Sequence, residues 1–345
     1  MIVIPSNPSG VINFTDLAFT LLYRCNYRCS SCLLGNDLKK SDSINYNDAI
    51  KIIDSMLNLC SINILSFVGG EPFLVYDLML KIADYAWKKY RMASGVSTNS
   101  YWANELSSTR EKLIPLYNSG LRWILLSWDD FHAQFGQIEQ IANTINVCSE
   151  LNIKPTLQNI YTNNSKLRIE SIRRELKGLC DIRIINWIDS PCVPVGFGSM
   201  LDNSLIPTIN IEKLPYGGCS AGSILNIQPN GDIKPCCGAG LVSRELSIGN
   251  IKSEGIDKIV QRASVDPIIN SLIAYMGPKY LISLLKKFGR DDLIPTYVSN
   301  SCDACYKLLD NPETTQLLRE ELEKEREHLL FSRIMHEEFN YLRPM

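Results

Sequence analysis

The sequence has little net charge, no long hydrophobic run and no export signal, and each absence removes a class of function. Lys and Arg number 35 against 37 Asp and Glu, a net charge of −2. With no basic field, nothing argues for nucleic acid as a partner. The opening segment, MIVIPSNPSGVINF, lacks the charged start and long apolar run of a signal peptide. The longest apolar stretches, such as 124–126 and 268–276, are too short or too interrupted to span a bilayer. The expectation is a soluble cytoplasmic protein that binds neither nucleic acid nor membrane. Internal repeats and low-complexity tracts are also missing. What the chain has in excess is cysteine, 12 in 345 residues. In a reducing compartment, clustered cysteines more often bind metal than pair as disulfides.

The first half alternates in period. Strand-like apolar runs fall at 17–22, 62–68, 93–98, 123–127, 155–161 and 182–186. Segments of helical periodicity fall between them, at 49–59, 78–90, 110–119, 138–151 and 167–177. In the first of these, Ile50, Ile53 and Leu57 recur on one face. Six strands alternating with helices predict an α/β fold with a parallel sheet and right-handed crossovers, for which the family resemblance carried by the motifs below implies a partial (β/α)6 TIM-like barrel. Ligands in such folds sit at the C-terminal strand ends. After Ile188 the alternation stops and Pro and Gly become frequent, in SPCVPVGFGSM and LPYGGC. INIQPNGDIKPCC predicts a hairpin turning at Asn230-Gly231. A partly helical stretch follows at 254–288, and Asn311-Pro312 reads as an N-cap with Pro at the first helical position. The expected division is a barrel at 1–190, a smaller unit at 191–310 and a charged, solvated C-terminal helix at 311–345.

The cysteines gather at both ends. Cys25, Cys29 and Cys32 follow the first strand at spacing C-x3-C-x2-C, with no other cysteine before Cys60. Three thiolates can hold three irons of a [4Fe–4S] cluster and leave the fourth iron open, and an open metal position is where chemistry happens. A zinc site completed by a remote residue, or plain structural thiols, is the alternative. Cys219, Cys236, Cys237, Cys302 and Cys305 form the second group. Cys60, Cys148 and Cys180 fall at helix or strand positions that suit a core, and Cys192 lies in the linker.

With GGEP (Gly69 to Pro72) after the second strand, the sequence resembles the radical SAM (S-adenosylmethionine) superfamily over nearly the whole chain. The resemblance implies that SAM chelates the open iron. One electron then frees a 5′-deoxyadenosyl radical, which abstracts hydrogen from the substrate. It also implies cofactor contacts. Tyr27 matches the aromatic position near adenine. Gly69 and Gly70 let the backbone approach SAM, and Glu71 accepts from its ammonium. Asn99, within the Thr98–Ser100 polar cluster, lies near the carboxylate and ribose. Ser127 and Asp129 match a Ser-x-Asp pattern, and Asn159 matches a position on the fifth strand. Asp130 and His132 are substrate-side acid–base candidates, or His132 orders its loop.

The second cysteine group resembles the twitch module, the short relative of the SPASM domain, in which Cys219, Cys236, Cys302 and Cys305 would ligate an auxiliary [4Fe–4S] cluster. A zinc ribbon is the alternative. PVGFGS resembles the Pro-x-Gly-Arg-Ala bridge of relatives, with Phe197 in place of Arg. Cys237 is then the odd thiol. In radical SAM epimerases a cysteine near the auxiliary cluster returns a hydrogen atom to the substrate radical. Cys237 can instead replace Cys236 as ligand, or be a small packed residue. The leading expectation is an enzyme that epimerises an L- to a D-residue in a ribosomally made peptide. Thioether or carbon–carbon crosslinking is next, then dehydrogenation or epimerisation of a sugar or aminocyclitol. A flavodoxin or ferredoxin would supply electrons. The barrel begins almost at once, so no leader-binding domain is expected before it.

Overall fold

Strand and helix alternate from Asp16 to Pro191 because each strand buries an apolar face beneath the helix that follows. In the computed structural model, residues 14–35, 39, 42–217, 219, 224–273 and 277–324 are described. The alternating half comprises β1 (Asp16–Thr20), α1 (Tyr46–Leu59), β2 (Ile64–Val68), α2 (Tyr76–Tyr90), β3 (Ala93–Thr98), α3 (Leu106–Asn118), β4 (Leu121–Ser127), α4 (Ile138–Leu151), β5 (Lys154–Tyr161), α5 (Ile169–Leu176) and β6 (Asn186–Pro191). These six strands pair in parallel, in sequence order. Leu17, Phe19, Leu65, Phe67, Val96, Ile124, Leu126 and Leu157 are buried on the helix side. Cys148 is in this core, and Cys60 and Cys180 pack against it.

The sixth strand departs from expectation. Residues 182–184 form a 3-10 turn and the strand begins at Asn186. Asp181 explains this: its carboxylate accepts from the Arg183 backbone N–H at 3.0 Å and pairs with the Arg183 guanidinium at 2.9 Å. A local Asx cap competes with the ladder and wins.

The C-terminal half adds β7 (Ile209–Asn210), β8 (Ile224–Ile227), β9 (Asp232–Lys234), β10 (Gly249–Asn250), α6 (Ile256–Val265), α7 (Pro267–Ile273), α8 (Gly277–Lys287), β11 (Tyr297–Val298), α9 (Ser301–Leu309) and α10 (Pro312–Lys324). The expected hairpin is present, and Gly231 turns it with a φ of 92°. The hairpin does not stay within a separate unit, however. β8 pairs in parallel with β1, giving a nine-stranded sheet ordered β10-β9-β8-β1-β2-β3-β4-β5-β6. Thr20 donates to Asn226 at 2.8 Å and Tyr23 to Gln228 at 3.2 Å across that junction, both buried. Leu225, Ile227, Ile233 and Ile259 accordingly belong to the barrel core. A second core forms from Ile211, Leu214, Ile268, Leu281, Leu285, Leu308, Leu318 and their neighbours. Asn311 caps α10 as expected, accepting from the Glu313 N–H at 3.0 Å. That helix is not merely solvated: Leu318 and Leu322 are fully buried in the second core. The remainder of the charged segment, 325–345, lies outside the described residues.

Candidate functional site

The parallel sheet brings the loops after β1, β2, β3, β4 and β5 to one end, and the front cysteines lie there. Cys29 is buried, with Cys25 and Cys32 half-buried. Cys25 lies within electrostatic range of both other thiols. Burial pushes the Cys25 thiol up to about 12 and also raises Cys32. Loading a metal there therefore releases protons. Tyr27, Cys29 and Phe131 form an apolar cluster, against which Tyr101, Ile160 and Leu201 pack. The Tyr27 ring stacks on Phe135 at 5.3 Å.

GGEP fits tightly beneath this loop. The Gly70 N–H donates to the Leu22 carbonyl at 2.9 Å, and a Cβ on Gly70 would collide with the Arg24 carbonyl. Gly69 has a φ of 138°, which side chains rarely adopt. Glu71 is completely buried. Its Oε1 accepts from the Thr98 hydroxyl at 2.8 Å and the Phe73 N–H at 3.1 Å, and its Oε2 accepts from the Asn99 N–H at 2.8 Å. Burial raises the carboxyl to about 7, against the pull of these hydrogen bonds. The carboxylate thus ties the β2 loop to the β3 loop. Asn99 carries that tie to the cysteines: its Nδ2 donates to Asn26 Oδ1 at 3.0 Å and approaches Cys25 Sγ at 3.8 Å.

Asp129 sits differently from the expected ligand contact. It is completely buried, and its Oδ1 accepts from the Phe131 and His132 N–H groups at 2.9 and 3.0 Å and meets His132 Nδ1 at 2.8 Å. Its Oδ2 accepts from the Ile160 N–H at 3.3 Å. Asp129 therefore shapes the loop and aims His132, which lies within electrostatic range of Cys29. Burial opposes charge on His132, but Asp129 and Cys29 outweigh it and lift the imidazole to about 10. Asp130 likewise holds loop backbone, accepting from the Lys166 N–H at 2.8 Å. Ser127 is half-buried and pairs in register with Gln158.

Asn159 is not brought to the cysteine loop. Alternate strand residues face opposite sides, and Ile160 is the one that packs against the Tyr27–Cys29 cluster. Asn159 donates to Asp189 on β6 at 2.7 Å and points toward the start of α5. Ile160, Tyr101, Phe131 and Phe135 are site residues that sequence reasoning missed. The polar match at Asn159 drew attention one residue away from Ile160.

The back cysteines also converge. Cys302 and Cys305 share one face of the first turn of α9, which Asn300 caps at 3.0 Å. Cys305 feels Cys236, Cys302 and Cys219. Cys219 is held through its N–H to the Leu272 carbonyl at 3.0 Å. Cys236 Sγ accepts the Gly238 N–H at 3.3 Å, and a Cβ on Gly240 would press on it at 2.9 Å. Cys237 is exposed and within electrostatic range of Cys236, Cys219 and Cys302. The linker docks on the front loop: the Phe197 N–H donates to the Cys32 carbonyl at 2.9 Å, and Gly196 leaves no room there for a Cβ. Cys192 is buried in the same linker.

A donor set of three thiols in one loop, and of thiols from three separate segments behind it, suits iron–sulfur clusters and defines the class of protein. A family described as a 4Fe-4S single cluster domain matches residues 17–119, and the SPASM iron-sulfur cluster-binding domain matches 219–274. The chain thus has a TIM-like α/β domain that matches a 4Fe-4S cluster family, followed by a region that matches the SPASM iron-sulfur cluster-binding family. The first match spans the front cysteines, GGEP and Asn99. The second spans Cys219, Cys236 and Cys237.

Among relatives, YydG of Bacillus subtilis strain 168, named for peptide biosynthesis, is 18% identical over 87% of this chain and 94% of its own length. GTP 3′,8-cyclase of Clostridium acetobutylicum is 23% identical over 65% of this chain and 81% of its own. A solved structure of anSMEcpe with bound AdoMet and the Cp18Cys peptide superposes with a TM-score of 0.51 at 13% identity, covering 88% of this chain and 98% of that one. That likeness is one of fold. Among the described residues, no helix is long and apolar enough to cross a membrane.

Proposed function

We propose that this chain modifies a peptide by radical SAM chemistry, and that it inverts an L-residue to the D form with Cys237 as hydrogen-atom donor. The relative named for peptide biosynthesis, matched over most of both chains, supports the peptide class. The observation that carries the finer reading is an exposed thiol, Cys237, beside Cys236, whose own sulfur is wrapped by backbone N–H groups. Hydrogen bonds to sulfur suit a cluster ligand, which leaves Cys237 free. Cys25, Cys29 and Cys32 would hold the SAM-binding cluster, and Cys219, Cys236, Cys302 and Cys305 the auxiliary one. With SAM bound, the reduced front cluster supplies one-electron chemistry that removes a hydrogen atom from the substrate. Tyr27, Tyr101, Phe131 and Ile160 exclude water from that space. Glu71 and Asn99 fix the loops, and the glycine backbone admits the ligand. Cys237 then gives its S–H hydrogen atom to the substrate carbon from the other face. The sulfur radical left behind regains one electron and one proton, the electron coming from a flavodoxin or ferredoxin. We assign 1–190 to the barrel, 191–310 to the auxiliary unit and the remainder to the C-terminal helix, with β8–β10 lent back to the barrel sheet.

The test is a synthetic peptide library incubated in D2O with anaerobically reconstituted protein, SAM and dithionite, then hydrolysed for chiral analysis. D-residues carrying one deuterium at Cα are expected, absent in Cys237→Ala while 5′-deoxyadenosine still forms. D-residues that persist in Cys237→Ala would remove the donor role. Peptides lighter by two hydrogens and free of D-residues would replace epimerisation with crosslinking.

A further inference from the structure

A cavity of about 520 Å³ lies between the two cysteine sets. One wall is Leu33 and Leu34, directly after Cys32, and the linker at Val195 and Gly196. The opposite wall is the β8–β9 hairpin and the 241–244 loop, just before and after Cys236 and Cys237, with Tyr306 beside Cys305. None of the cofactor contacts discussed above uses it.

Three side chains on its lining are left short of partners. Lys234 is only 4% exposed, yet its ammonium donates solely to the Ser243 carbonyl and forms no ion pair among the described residues. Ser243 is fully buried, and its hydroxyl has no hydrogen-bond partner among the described residues. Arg244 is exposed at the rim, also without an ion pair among the described residues. One carboxylate of the chain lines the cavity, Asp232, and both of its oxygens are engaged, by Asn230 Nδ2 at 2.8 Å and Asn250 Nδ2 at 2.8 Å. Asp232, and behind it Asp310, Cys236 and Glu245, act on Lys234 electrostatically without forming an ion pair among the described residues. A buried cation with donors to spare is costly unless something repays the lost hydration. An orphaned buried hydroxyl beside it carries a similar cost.

We infer that this cavity is a carboxylate-binding subsite, in which Lys234, Ser243 and Arg244 anchor an acidic group of the substrate peptide between the two clusters. The inference rests on the peptide reading above. A carboxylate accepts from an ammonium, a hydroxyl and a forked guanidinium together. The volume suits one residue with its flanking backbone, and Leu33, Leu34 and Val195 would cover its apolar neighbours. The carboxylate can come from an acidic side chain or from the peptide's own C-terminus.

The experiment uses reconstituted holoenzyme and three fluorescein-labelled heptapeptides of Gly and Ser. One has a central Glu and an amidated end, one a central Gln and an amidated end, and one a central Gln with a free C-terminal carboxylate. Fluorescence anisotropy at low salt should show one of the carboxylate peptides binding about ten-fold tighter than the neutral one, and which one identifies the source. Lys234→Met should erase that preference. Arg244→Gln, on the surface and safe for folding, should reduce it about three-fold. Equal binding of all three peptides, or a preference unchanged in both variants, overturns the subsite. Free glutarate separates the two readings: a glutarate-induced rise in Tm that Lys234→Met abolishes, with no peptide bound, would keep the carboxylate site and reject the peptide.

Discussion

The two cysteine sets reach similar chemistry by opposite construction. The front set is a single loop, Cys25 to Cys32, set on the end of β1 and held by its neighbours' loops. Glu71 and Asp129 are both buried and spend their polar atoms on that scaffold. The back set is drawn from Cys219, the hairpin's exit and the first turn of α9. Closing 236 onto 302 costs chain entropy that local structure does not repay, and the second core, from Ile211 to Leu322, has to supply it. The buried carboxylate of the back site, Asp303, bonds only its own segment, accepting from the Ser299 N–H at 2.7 Å and from Lys307 at 3.0 Å, and small residues at Gly238 and Gly240 let the sulfurs approach. The front site is therefore built to exist before its metal arrives, whereas the back site and its cluster support each other.

The sharpest way to break that comparison is to remove one thiol from each set. Two [4Fe–4S] clusters correspond to about eight irons, and Cys29→Ala and Cys302→Ala should each lower this to about four. Their consequences should part there. Cys29→Ala abolishes 5′-deoxyadenosine formation and leaves hydrogen-exchange protection in the sheet intact. Cys302→Ala keeps SAM cleavage but loses protection across 209–322, because metal binding there is coupled to folding. Equal loss of protection around both sites would erase the distinction.

The next effect is at Glu71. Its folded pKa of about 7 lies above the ordinary 4.5. The folded state therefore holds this proton more tightly than the unfolded chain. Stability of the cluster-free protein is greatest below the ordinary carboxyl pKa and falls as pH rises toward about 7. Glu71→Gln is a neutral isostere of the protonated carboxyl that the folded protein holds near pH 5. It should change stability there by less than about 1 kcal/mol, and the slope between pH 5 and 7 should flatten. Denaturant unfolding at several pH values reads both. A slope that survives in Glu71→Gln would assign it to another group.

Much of this was legible because the physics was local. Alternating period placed five strands and five helices, and Asn230-Gly231 and Asn311-Pro312 carried their own geometry. The failures have non-local causes. An apolar run at 182–186 looked like a strand, but Asp181 and Arg183 made a turn of it. The return of β8 to β1 is a pairing between segments some 200 residues apart, seen in the parallel ladder and in the Thr20–Asn226 and Tyr23–Gln228 bonds across it. At the site, residue type was a weaker guide than strand parity. Asp129 has the chemistry of a ligand contact yet is consumed by the scaffold, and Asn159 turns its Nδ2 to Asp189 with its buried Oδ1 left unbonded among the described residues, whereas Ile160, with no polar atom to advertise it, faces the cysteines. Lys234 and Ser243 were hidden for a related reason, since only burial makes an ordinary lysine and serine conspicuous.

The smallest predicted effect separates scaffold from site among the asparagines. Asn99 reaches Asn26 and approaches Cys25, whereas Asn159 is bonded to Asp189, which also holds Arg168 at 2.6 Å. Asn99→Ala should raise the KM for SAM about three- to ten-fold with kcat less affected, the size of one lost hydrogen bond. Asn159→Ala should leave that KM unchanged and instead cost about 1 kcal/mol of stability, by removing a partner from a half-buried carboxylate. Measuring SAM-dependent 5′-deoxyadenosine formation and urea unfolding on both variants puts them on two axes. If Asn159→Ala moves KM as far as Asn99→Ala does, the face of β5 that meets the cofactor is the one bearing Asn159, and Ile160 loses its place in the site.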